Sequence, residues 1–97
     1  MNHAKHIIST VCRELDIRES LLLSASRRLN LVRARMIIVL LLERRGYTDE
    51  QSGWFLNRAR ATITVMRNKA HEELKIYPAF RQIYEQIKYA VDNGKYV

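Results

Sequence analysis

TDEQSGWFLNRARATITVMRNKA, Thr48 to Ala70, is the stretch whose reading decides the fold. Thr48 with Gln51 three residues on is a capping box, in which a hydroxyl and an amide each satisfy a free N–H at a helix start. The spacing predicts a short helix over about 48–56, with Phe55 as its best core anchor. Asn57 can cap a following helix over about 58–75. On that helix Ile63, Met66, Ala70 and Leu74 share one face and should bury. Arg58, Ala61, Val65, Asn68 and Lys69 share the opposite face. Residues 57–70 carry Arg58, Arg60, Arg67 and Lys69 and no acid. Two helices joined this tightly, the second basic on its free face, are how a protein lays a helix into the DNA major groove.

Outward from this stretch the chain reads as helix throughout. Upstream, a helix over about 31–45 is apolar almost all round from Met36 to Leu42, which makes it the buried central element. Gly46 ends it in a left-handed conformation, with Arg44 and Arg45 set against the helix dipole. Ile7, Ile8, Val11, Cys12 and Leu15 recur at helical spacing over 3–15. Asp16 with Glu19 reads as the cap of a second short helix through Leu23, and Ser24 to Asn30 is a polar, basic break. Downstream, Pro78 suits the first turn of a sixth helix. That helix turns Phe80, Ile83, Ile87 and Val91 inward and stops near Asn93-Gly94. No segment alternates with period two, so no sheet is expected.

Composition bounds the function. With 97 residues, 47% of them hydrophobic, the chain makes one domain, 1–97, with a real core. A net charge of +7 makes nucleic acid the first partner to consider and an anionic membrane surface the second. The single cysteine excludes an internal disulfide and fits a reducing, cytoplasmic setting. The longest apolar run, Met36 to Leu42, is far short of the roughly 20 residues that span a bilayer. The opening MNHAKHII has no apolar signal region, and the chain reads as a complete small protein or a cleanly cut domain.

The charges are not spread evenly. From Ser20 to Leu42 the chain carries Arg27, Arg28, Arg33 and Arg35 with no acid, and Gln51 to His71 is likewise acid-free. Brought together, the two tracts make one positive surface. Left apart, they are two solvated helix ends.

Together these segments resemble the C-terminal DNA-binding domain of the bacterial replication initiator DnaA. SRRLNLVRARMIIVLLLE (26–43) is similar to that family's basic loop and long central helix. YTDEQSGWFLNR (47–58) resembles the first helix of its helix-turn-helix, and ARATITVMRNKA (59–70) its recognition helix. IISTVCRELDIRESLL (7–22) fits the two opening helices. The resemblance covers roughly 7–75, and the helix over 77–93 is an addition. It implies that Arg27, in a loop shared with Arg28, enters an A·T-rich minor groove, whose narrow negative floor attracts a guanidinium. It also implies that Arg35, Thr48, Thr62 and Lys69 meet the DNA backbone. The family's recognition helix opens Asp-His-Thr-Thr, whereas this chain has Ala59, Arg60, Ala61 and Thr62. The family's glycine pair in the turn is Leu56-Asn57 here. The scaffold is therefore similar while the base-reading set differs. Arginine is the usual bidentate reader of guanine, a role open to Arg60 or Arg58. Ala61 and Val65 suit contact with thymine methyl groups.

Other chemistry finds little support. Cys12 falls on a core face as a packed hydrophobe. His3, His6, Cys12 and His71 match no zinc-ligand spacing, so neither metal nor cofactor is expected. No Gly-rich phosphate loop and no nucleophile–base motif points to an enzyme. Trp54 is expected to pack against the fifth helix. The late tyrosines, Tyr77, Tyr84, Tyr89 and Tyr96, suit packing or self-association better than base stacking. The sequence thus predicts an all-α domain of about six helices, its helix-turn-helix built from the fourth and fifth. It predicts binding of double-stranded DNA and no membrane partner, in replication control or transcription regulation. The alternative is a protein–protein interaction module on the same fold.

Overall fold

In a computed structural model, residues 3–94 form six helices: α1 (His3–Leu15), α2 (Glu19–Leu22), α3 (Leu29–Arg44), α4 (Asp49–Leu56), α5 (Arg60–Ile76) and α6 (Pro78–Asn93). Among the described residues there is no strand. α3 is the axis. Every residue from Ala34 to Leu42 is buried on it, as an all-round apolar helix requires. α1 and α5 pack on α3, α6 bridges α1 and α5, and α4 packs mainly on α5. Ile7, Leu22, Ile37, Ile38, Leu41, Leu42, Leu56 and Ile63 are fully buried, and each such side chain contributes about 1.5–3 kcal/mol relative to exposure. At the far end Arg44 donates to both carboxylate oxygens of Asp92, at 2.8 and 2.7 Å, joining the end of α3 to the end of α6.

The helix boundaries differ from the expected ones where a polar residue has two possible uses. Asp16 is left-handed (φ 54°) and closes α1 instead of capping α2. α2 has Arg18 at its N-cap and no side-chain cap. α3 starts two residues early, at Leu29 rather than Leu31. Asn57 is also left-handed (φ 57°) and closes α4, so it cannot open α5. α5 begins instead at Arg60, with Ala59 at the N-cap and no side-chain cap. Asn and Asp tolerate this conformation better than other residues with a Cβ. Gly46, at φ 89°, ends α3 as expected.

The core holds three more corrections. Leu56, not Phe55, is the buried anchor of α4. Phe55 is half-buried and meets Tyr47 edge-on, with ring centroids 5.5 Å apart. Ile83 is 40% exposed, whereas Phe80, Ile87 and Val91 bury on α6 as expected. Trp54 is 69% exposed and does not pack inside. Cys12 is buried, and burial, with the Glu19 charge as a lesser cause, pushes its thiol up to about 11. Tyr77 and Tyr89 are exposed and Tyr84 half-buried. Tyr96 lies outside the described residues.

Candidate nucleic-acid interface

α4 and α5 are joined by three residues, 57–59. A glycine makes so short a turn possible. The Arg58 amide donates to the Gly53 carbonyl at 2.9 Å, and a Cβ on Gly53 would stand 2.5 Å from the Arg58 carbonyl oxygen. Thr48 and Gln51 form the expected capping box at the start of α4, through two bonds of 3.1 and 2.9 Å. Asp49 then ties α4 to α5 across the turn. It accepts from Nε and Nη2 of Arg67, each at 2.9 Å, and from the Thr64 hydroxyl at 2.7 Å. The Arg67 hydrogen bonds hold the Asp49 carboxyl below its ordinary range. Arg67 also reaches Glu43, which meets His71 as well. Arg67 is therefore spent on the fold and is no part of a free basic face.

The loop between α2 and α3 is held by two arginines turned inward. Arg35 is 3% exposed. Its Nε donates to the Leu22 carbonyl, Nη1 to that of Ser26, and Nη2 to those of Leu21 and Ser24, at 2.7–3.3 Å. Arg58 comes to the same loop from the turn, bonding the Ser24 and Leu23 carbonyls and those of Leu56 and Asn57. Burial, then the neighbouring Arg58 charge, pulls the Arg35 pKa down. These two cations are balanced by carbonyl dipoles and not by a carboxylate. The phosphate contact expected of Arg35 is thereby corrected: its donors are already committed inside the protein. Arg58 is likewise engaged and does not stand on the outer face of α5.

Arg27 is exposed on the loop held in this way. With Ser26, Arg58 and Thr62 it lines a hollow of about 520 Å³ between the loop and the start of α5. Arg28 turns to a different depression, beside Asp16 and Arg18. Arg33 points to the α6 side of α3. The two acid-free tracts pack together, but of the first tract's arginines only Arg27 is exposed beside the start of α5. On α5 itself Arg60, Ala61, Thr62, Val65 and Lys69 are all exposed. Ala61, Val65 and Lys69 border a shallow apolar strip that includes Val32, Met36 and Met66. No group of three or more His, Cys, Asp or Glu residues converges on a metal site among the described residues. No described helix is long and apolar enough to cross a membrane.

Sequence reasoning missed the inward turn of Arg35, though a signal was present. Arg35 lies four residues after Leu31 and four before Val39, both buried on α3, which puts it on the apolar side of the helix. These features define a small all-α domain in which α4 and α5 form a helix-turn-helix with a three-residue turn. No family model matches the chain, and no curated protein matches it.

Proposed function

We propose that this protein binds double-stranded DNA with sequence preference, α5 entering the major groove and the Arg27 loop the adjacent minor groove. The observation that carries the reading is the outer face of α5. Arg60, Ala61, Thr62, Val65 and Lys69 are exposed there, with no acid between Gln51 and His71. Arg27 stands across a hollow from Thr62, on a loop whose carbonyls accept hydrogen bonds from Arg35 and Arg58. With Arg58 engaged, the guanine-reading role falls to Arg60 alone. Ala61 and Val65 offer apolar contact to thymine methyls, and Lys69 and Thr62 meet phosphate. Thr48, whose hydroxyl caps α4, lies where that helix would approach the backbone. The resemblance to the initiator's DNA-binding domain supports a role in replication control or transcription regulation, in a cytoplasmic setting and without catalysis.

Selection from random duplex DNA, followed by salt titration on the recovered site, tests this reading. Contact with about six phosphates gives a log–log salt slope near −5. Failure to retard any duplex at low salt overturns it. The apolar strip of Val32, Met36, Val65 and Met66 favours a second reading, a protein-interaction module on the same fold. Its signature is partner binding that is insensitive to salt, with no duplex retained.

A further inference from the structure

On the side of α3 away from Arg35, a second hollow opens between the end of α1, the first half of α3 and the start of α6. Its volume is about 310 Å³, within the range of pockets that hold small organic ligands. The walls are apolar: Ile17, Ile37, Phe80 and Ile83. The polar groups number three, Asn30, Arg33 and Tyr77, and no carboxylate lines the hollow. Arg33 is exposed and forms no ion pair among the described residues. This sets it apart from Arg35, Arg44, Arg58 and Arg67, each held by carbonyls or carboxylates. Ile83 and Tyr77, which are 40% and 50% exposed, both line this opening.

We propose that this hollow is a binding site for a small apolar carboxylate, an alkyl or aryl acid whose body lies against Ile37, Phe80 and Ile83 and whose carboxylate is bound by Arg33. The guanidinium fork matches a carboxylate in shape and charge. Asn30 and Tyr77 add neutral hydrogen-bonding groups to the same lining. An uncharged or cationic ligand of equal size would leave the guanidinium unmatched or repelled. The site is separate from the outer face of α5, so its occupancy is measured on the protein without DNA.

The test is titration of the full chain with decanoate below its micellar range, by calorimetry and by methyl and amide NMR shifts. Decanol and decylammonium serve as the uncharged and charge-reversed probes. The expected result is one-to-one binding of decanoate, with shifts centred on Ile37, Ala79 and Ile83. Decanol should bind about tenfold more weakly, as loss of one charge-assisted hydrogen-bonded pair requires. Arg33→Glu should weaken decanoate at least tenfold and favour decylammonium. Ala79→Trp, at an exposed lining position on the first turn of α6, should fill the hollow and abolish binding while the helical circular dichroism is kept. Equal binding of decanoate and decanol, indifference to Arg33→Glu, unchanged binding in Ala79→Trp, or no saturable binding each overturns the proposal.

Discussion

Arg27 and Arg35 belong to one acid-free tract and end in opposite situations. Arg35 is buried with its guanidinium spread over carbonyls of the α2–α3 loop, and Arg27 stands on that loop in solvent. Arg58 and Arg60 repeat the contrast two residues apart: Arg58 turns back on the same loop, and Arg60 opens α5 on the outside. The difference teaches that a basic tract is not a measure of its binding surface. An arginine that finds enough carbonyl dipoles becomes a fastening, and only what is left over can meet a ligand.

The contrast is most easily broken at Arg35. Arg35→Ala leaves the Leu22 and Ser26 carbonyls without their donor and should cost about 3 kcal/mol or more, at roughly 1–3 kcal/mol for each buried acceptor left unsatisfied. Arg27→Ala should stay within about 0.5 kcal/mol, as exposed surface positions do. Urea unfolding of the two variants measures both, and equal losses would remove the distinction between inward and outward arginines. Gly53→Ala comes next. Its new Cβ would press on the Arg58 carbonyl at 2.5 Å, so the α4–α5 turn must open at a cost of about 2 kcal/mol, read in the same experiment.

Arg60→Ala sharpens the outward side. On the selected duplex it should lose about 1–2 kcal/mol of affinity and relax preference at one base position, with thermal stability unchanged. An even loss over all sequences would make Arg60 a phosphate contact. The smallest of the expected losses above the surface level of Arg27 belongs to Asp49. Its folded pKa lies below its ordinary value of 3.8, chiefly through the Arg67 hydrogen bonds. The stability this contributes is therefore complete above 3.8 and is lost as pH falls through the lower folded value. Asp49→Asn should cost about 1 kcal/mol at neutral pH and should flatten that part of the acid limb. An acid limb identical to the parent's would remove Asp49 from the account.

Much of the fold was legible in the residues. The capping box at Thr48 and Gln51, the stop at Gly46, the proline at the start of α6 and the all-round apolar run from Met36 to Leu42 on α3 are local chemistry, and local chemistry is written in neighbours. Asn57 was visible as a terminus residue, but the same side chain suits the end of one helix and the start of the next. Its left-handed backbone decides between them. The candidate surface was less legible. The acceptors that capture Arg35 and Arg58 are backbone carbonyls, which no residue type advertises. The bond from Arg67 to Asp49 spans 18 residues and exists only once the turn has set the helix angle. Trp54 misled because a large aromatic usually buries, yet it falls on the outer side of a two-turn helix whose inner side is taken by Ser52, Gly53 and Leu56.

That outward indole has a spectroscopic consequence. Trp54 is the chain's one tryptophan, and it is already in water while the protein is folded. Its emission should be red-shifted from the start and should change little on denaturation, so fluorescence is a poor witness to unfolding here. The same property makes it a low-background reporter of whatever large molecule settles against α4. A blue shift or quenching at constant far-ultraviolet dichroism would register an arrival at that helix rather than a change within the fold.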